Sequence, residues 1–117
     1  MRLLLIEDER TLCDAVARRL RRSGYSVDLA YDGERALQLL EVERYDLVLL
    51  DLVMPGIDGF EVLRRRQNME GFKDTPVIVL TNTESVSSQS EAFALGADEF
   101  IIKPVDARIA LTRINNT

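Results

Sequence analysis

Histidine and tryptophan are absent from this 117-residue chain, and cysteine occurs once, at Cys13. Without histidine there is no internal imidazole base, so a Ser-His-Asp triad is excluded. A lone cysteine closes no internal disulfide, and no Cys/His cluster exists to hold zinc. No apolar run approaches the ~20 residues that span a bilayer. The opening Met-Arg-Leu-Leu-Leu-Ile-Glu-Asp-Glu meets acid too soon for a signal-peptide core. A cytoplasmic setting is therefore expected, with no membrane partner. Positive charge is in deficit, with 15 Lys and Arg against 20 Asp and Glu and a net charge of −5. That balance argues against direct nucleic-acid binding by this domain through phosphate contacts. Six Gly and three Pro are too few for a collagen-like or low-complexity chain. One domain, residues 1–117, is expected.

What is present is an alternation of short apolar runs and helix-period segments. Arg2–Ile6 reads as a strand buried on both faces. Thr11 to Ser23 sets Leu12, Ala15, Val16 and Leu20 at helical spacing, stopped by Ser23-Gly24. Tyr25–Ala30 reads as a strand, and Asp32-Gly33 opens a helix with Ala36, Leu37 and Leu40 inward. Asp46–Leu50 is the third strand and delivers Asp51. A loop over Leu52–Asp58 leads to a helix with Phe60 and Leu63. Val77–Leu80 is the fourth strand, Ser85 to Leu95 the fourth helix, Glu99–Ile102 the fifth strand and Asp106–Ile114 the last helix. Five strands alternating with five helices imply an α/β domain with a parallel sheet covered on both faces.

In such sheets ligands bind beyond the carboxyl ends of the strands. The residues at those ends are Glu7 and Asp8, then Asp51, then Thr81, then Lys103. Three carboxylates at one edge repel one another, and burying them unpaired is costly. A hard, oxygen-seeking cation such as Mg²⁺ suits the set. Glu7, Asp8 and Asp51 sum to −3, and Mg²⁺ with Lys103 sums to +3. A phosphoryl group at Asp51 would meet the cation, the Lys103 ammonium and the Thr81 hydroxyl, which is the charge neutralisation that phosphoryl transfer requires. Asp51 is the candidate nucleophile, since a carboxylate forms an acyl phosphate.

This ordered set resembles the receiver domain of two-component response regulators, over essentially the whole chain. The resemblance rests on Glu7-Asp8, Asp51, Met54-Pro55-Gly56-Ile57-Asp58-Gly59, Thr81, Gly96-Ala97-Asp98, Phe100 and Lys103-Pro104. It implies a flavodoxin-like, doubly wound five-stranded sheet. It implies that Asp51 is the phosphoacceptor, that Asp8 binds Mg²⁺ directly, and that Glu7 helps hold the ion. Val53 would lend its backbone carbonyl. Lys103 would bind phosphoryl oxygens, with a cis bond to Pro104, and Thr81 would donate its hydroxyl. Phe100 would move inward with Thr81. The domain would be a phosphorylation-driven switch rather than a metabolic enzyme. Its donor would be a sensor histidine kinase or phosphotransfer protein, with small acyl phosphates as further donors. The face of helix 4, strand 5 and helix 5 would be the readout and a possible homodimer surface. The chain is compatible with a stand-alone receiver or with part of a longer regulator.

Several residues carry plainer readings. Asp58 with Glu61 suits a helix N-cap. Arg18, Arg19, Arg21 and Arg22 read as a solvated helix face, with kinase docking as the alternative, and Arg64-Arg65-Arg66 reads as solvated. Cys13 reads as an inert packing residue. Asn82 beside Thr81 departs from the small residue the family favours, while Val53 and Thr83 fall where the family varies. The serines at 85, 87, 88 and 90 predict a frayed first turn of the fourth helix. A haloacid-dehalogenase-like phosphatase would need a second Asp two residues after Asp51, where Val53 stands. A nucleotide or flavin binder would need a phosphate loop where Glu7-Asp8-Glu9 lies. A degenerate receiver that only binds protein conflicts with the intact acid set.

Overall fold

A computed structural model describes residues 1–82 and 86–117, with Val86 by its backbone alone. The order is β1 (Arg2–Ile6), α1 (Arg10–Arg22), β2 (Ser26–Ala30), α2 (Gly33–Val42), β3 (Leu47–Asp51), α3 (Gly59–Arg66), β4 (Val77–Thr81), α4 (Val86–Ala94), β5 (Glu99–Ile102) and α5 (Ala107–Asn115). All strand pairs are parallel, in the order β2-β1-β3-β4-β5. This is the expected doubly wound α/β fold. Among the described residues no helix is long and apolar enough to cross a membrane. The expected frayed turn around Ser85, and Thr83 with it, lies outside the described residues.

The strands are apolar throughout because both faces are covered. In β1, Leu4 and Ile6 pack toward α2 and α3, while Leu3 and Leu5 pack toward α1 and α5. Period-two alternation thus feeds two cores, and a continuous apolar run results. The order β2-β1-β3 means the chain leaves β1 in one direction and crosses back to β3 in the other. Crossovers of one hand then place α1 and α2 on opposite faces. Helix α5 returns beside α1, where the Tyr25 hydroxyl donates to Asn115 Oδ1 at 2.6 Å.

Boundaries differ from the sequence expectation by about one residue, for visible reasons. Tyr25 does not open β2, because its N–H donates to the Leu20 carbonyl at the end of α1 (3.3 Å). Asp51 belongs to β3 itself, paired with Leu80. Asp32, Asp58 and Asp106 cap α2, α3 and α5, accepting from the N–H groups of Arg35, Glu61 and Arg108 at 2.7, 2.9 and 2.8 Å. Each cap satisfies an orphan donor of a helix start.

One expectation is overturned. Arg66 is not solvated: it is only 8% exposed, whereas Arg64 and Arg65 do face solvent. Gly59, Val62, Leu63 and Arg66 share the inward stripe of α3. The Arg66 guanidinium donates to the carbonyls of Phe72 (3.3 Å), Gly96 (2.9 Å) and Thr75 (2.5 Å). Burial pulls its pKa down, yet the cation keeps its three acceptors. It ties the loop after α3 to the end of α4. Gly96 has φ +105° and lies against this guanidinium, so a Cβ there would sit 2.7 Å from Arg66 Nη1. Arg66→Ala should destabilise the fold by roughly 2–4 kcal/mol in urea unfolding, because the Gly96 and Thr75 carbonyls lose their donor and Phe72 keeps only the Thr75 N–H. Arg64→Ala and Arg65→Ala should each stay within about 0.5 kcal/mol of the parent. Equal effects at all three positions would contradict the assignment.

Candidate functional site

The winding of the chain across the sheet reverses between β1 and β3, and the loops leaving their carboxyl ends part there. That is the crevice in which open α/β sheets place their ligands. Glu7 and Asp8 follow β1, and Asp51 ends β3. Carboxylate oxygens of Glu7, Asp8 and Asp51 lie within 4.8 Å of one another. Glu7 is fully buried and Asp51 is 2% exposed. Asp8 reaches solvent and leaves the cluster open on its side.

Lys103 is brought in from the far edge of the sheet. Its N–H donates to the Thr81 carbonyl at 2.7 Å, continuing the β4–β5 ladder one step past β5. The bond to Pro104 is cis, as expected. Lys103 Nζ lies 2.5 Å from Glu7 Oε1 and 3.4 Å from Asp51 Oδ2. Sequence reasoning assigned this ammonium to phosphoryl oxygens and did not see its close pairing with Glu7, a contact between residues 7 and 103 with no local sequence signal. The second oxygen of Glu7 accepts from the Glu9 N–H at 3.2 Å, which folds the β1–α1 turn onto it. Asp51 Oδ1 accepts from the Val53 N–H at 3.2 Å, so Val53 serves the site with its backbone while its side chain is 63% exposed.

The electrostatics follow from this crowding. Burial, then the hydrogen bond and repulsion from Glu7, push the Asp51 carboxyl up to about 7; Lys103 and the Val53 N–H only partly offset them. Burial pulls Lys103 down, but its bond to Glu7 and the field of Asp51 outweigh it, so its pKa is raised and it stays a cation. With every acid ionised, three carboxylates and one ammonium leave −2. A buried site with that deficit, open on the Asp8 side and lined by hard oxygen donors, fits a divalent cation.

The remaining site candidates sit nearby rather than in the cluster. Thr81 ends β4 on the strand next to Asp51 and is 1% exposed; Asn82 beside it is exposed. Phe100 is half-buried on β5, edge-on to Phe93 with centroids 5.6 Å apart and planes at 72°. Gly59 is a site residue whose role only the structure reveals. A Cβ there would collide with the Asp51 carbonyl and come 2.7 Å from Leu52 Cα, so only glycine lets α3 start against the end of β3. The available signal was Asp58-Gly59 at the foot of a helix.

A group that binds its proton more tightly when folded lends stability that fades as pH rises through its folded pKa. For Asp51 the window runs from 3.8, its ordinary value, to about 7. Metal-free protein should therefore lose stability across this range. Asp51→Asn should flatten that loss and be more stable than the parent at pH 8, on the order of 1–2 kcal/mol. Matching melting curves for parent and variant across this range would refute the crowding.

Comparison with known proteins agrees with the geometry. The family described as "Response regulator receiver domain" matches residues 3–115. The transcriptional regulatory protein DltR of Streptococcus agalactiae is 42% identical over 114 residues, covering 97% of this chain and 50% of that protein. The response regulator MprA of Mycobacterium avium is 38% identical, covering 97% and 49%. The chain spans about half the length of these curated relatives. Among solved structures, chemotaxis protein CheY4 of Vibrio cholerae superposes with a TM-score of 0.94 at 29% identity, covering 98% of this chain and 96% of that one. DrrB of Thermotoga maritima gives 0.86 at 27% identity, covering 98% and 51%. With its doubly wound sheet and its acid cluster at the reversal point, the chain belongs to the receiver domains of two-component response regulators, the signalling switches of that system.

Proposed function

We propose that Asp51 accepts a phosphoryl group from a phosphohistidine of a partner histidine kinase or phosphotransfer protein. The observation that supports this most is that the Asp51 carboxylate is grouped with the acids Glu7 and Asp8 and lies within reach of the Lys103 ammonium. An Asp51 oxygen attacks phosphorus in line as the phosphorus–nitrogen bond breaks. The imidazole departs with the electron pair and takes a proton from solvent. Lys103 is already within reach of the acceptor and can turn from Glu7 to the incoming phosphoryl oxygens. Thr81 ends the neighbouring strand and supplies a hydroxyl donor to the same group. Glu7, Asp8, Asp51 and the Val53 carbonyl would hold Mg²⁺, which when bound supplies the charge neutralisation the cluster lacks.

Phosphorylation adds roughly −1.5 to −2 charges and strong acceptor oxygens. Thr81 and Lys103 are drawn toward them, and both belong to the β4–β5 side of the sheet. Phe100 on β5 follows Thr81. Reversing a two-state population from 1:99 to 99:1 takes about 5.5 kcal/mol. A few charge-assisted hydrogen bonds of roughly 1.5–3 kcal/mol each supply it. The face of α4, β5 and α5 is then the readout. It leaves Phe93, Ile102 and Ile109 partly exposed, apolar area suited to an effector or to a second copy of the chain.

Incubated with a phosphorylated kinase or a small acyl phosphate and Mg²⁺, the parent should gain one phosphoryl group that hydroxylamine removes, as read by intact mass. Asp51→Asn should gain none. Equal labelling of the variant would place the acceptor elsewhere.

A further inference from the structure

A second cation stands on the opposite flank of the pocket from Lys103. Arg10 opens α1 two residues after Asp8, and its guanidinium carbon lies 4.3 Å from the centroid of the Tyr31 ring. Tyr31 follows β2 directly. The pairing of Ile6 with Ala30, and the bond from the Glu7 N–H to the Ala30 carbonyl (3.0 Å), set Tyr31 beside Glu7 at the carboxyl edge of the sheet. The Tyr31 hydroxyl donates to Asp14 Oδ1 at 2.7 Å, one turn further along α1. Asp14 thus anchors the ring from its hydroxyl, and the ring face carries Arg10.

Arg10 stands at the N-terminus of α1, with Glu9 before it and Asp14 four residues on, and the Asp14 carboxylate is engaged by the Tyr31 hydroxyl. The first turn of α1 contains no acid, and a helix N-terminus disfavours positive charge. Among the described residues Arg10 forms no ion pair, and its guanidinium rests on the Tyr31 ring. Tyr31, which carries it, adjoins Glu7 across the β1–β2 pair, and Glu7 belongs to a pocket with a formal charge of −2 before any metal binds. A phosphodonor must approach that pocket as an anion. The strand order puts Lys103, after β5, on one flank and Arg10, stacked on the residue after β2, on the other.

We propose that Arg10, held over Tyr31, is the rim cation that draws an anionic phosphodonor to the pocket and orients its non-transferred groups. This rests on the reading of Asp51 as the phosphoacceptor. With a small acyl phosphate, the Asp51 oxygen–phosphorus bond forms as the phosphorus–oxygen bond to the donor's carboxylate breaks. The carboxylate leaves with the electron pair, and no further reactant is needed. Arg10 is a positioning residue in this step and carries no proton for it.

The test compares phosphorylation rates with acetyl phosphate at saturating Mg²⁺, in low and high salt, for the parent, Arg10→Gln and Tyr31→Leu. Magnesium affinity is measured alongside. Arg10→Gln should be roughly three- to tenfold slower at low salt, with the gap closing at high salt. Its magnesium affinity should be unchanged or higher, because a neighbouring cation is gone. Tyr31→Leu keeps the charge but frees it, and should show a slowing of the same kind. Parent-like rates in either variant, or loss of magnesium binding in Arg10→Gln, would overturn the proposal while leaving Asp51 as acceptor. No uptake by the parent itself would remove both readings together.

Discussion

Repulsion among three carboxylates, held in check by one lysine, organises this domain. Glu7 and Asp51 are buried at the one edge of the sheet where the winding reverses, and Asp8 closes the group toward solvent. In water such a cluster would disperse. Here the strands fix it, because each acid lies at the end of a strand packed on both faces or within two residues of it. The Lys103 ammonium reaches across from beyond β5 to Glu7 and Asp51 and offsets one of the three charges. The remaining deficit is what a divalent cation or a phosphodonor with its cation would satisfy.

The apolar framework and the charged edge are therefore one design. A rigid, fully covered sheet is needed to keep like charges within 4.8 Å of one another. The same rigidity limits where change can occur. Arg66 pins the end of α4 and the loop after α3 through three carbonyls. The Lys103 N–H is fixed to Thr81 by backbone bonding, but its side chain is shared between two acids and can be redistributed. A new anion on Asp51 would act first on these movable donors and then on the α4–β5 side that they join.

Much of this was legible in the residues. The five apolar runs gave the strands, and the rule that ligands bind at their carboxyl ends selected Glu7, Asp8, Asp51, Thr81 and Lys103 from the sequence. The helix starts at Asp32 and Asp58 were legible because their signals are local, Asp32-Gly33 in one case and Asp58 with Glu61 three residues on in the other. The losses share one cause: they depend on contacts distant in sequence. Arg66 looked like its two solvated neighbours until the inward stripe of α3 was placed against Phe72 and Gly96. The Lys103–Glu7 pair joins the two ends of the chain. The intolerance of Gly59 to a side chain depends on how closely α3 approaches Leu52. Tyr25, read as strand, is taken by the end of α1 instead.

The central claim is that the acid cluster is a divalent-cation site balanced by Lys103, and magnesium titration of the metal-free chain at pH 8 tests it most directly. Followed by amide NMR and calorimetry, the account predicts one saturable site. The largest shifts should fall in the residues after β1 and at the end of β3, and binding should be lost in Asp8→Asn. Shifts scattered over exposed acids such as Glu34 and Glu41 without saturation, or undiminished binding in Asp8→Asn, would contradict it.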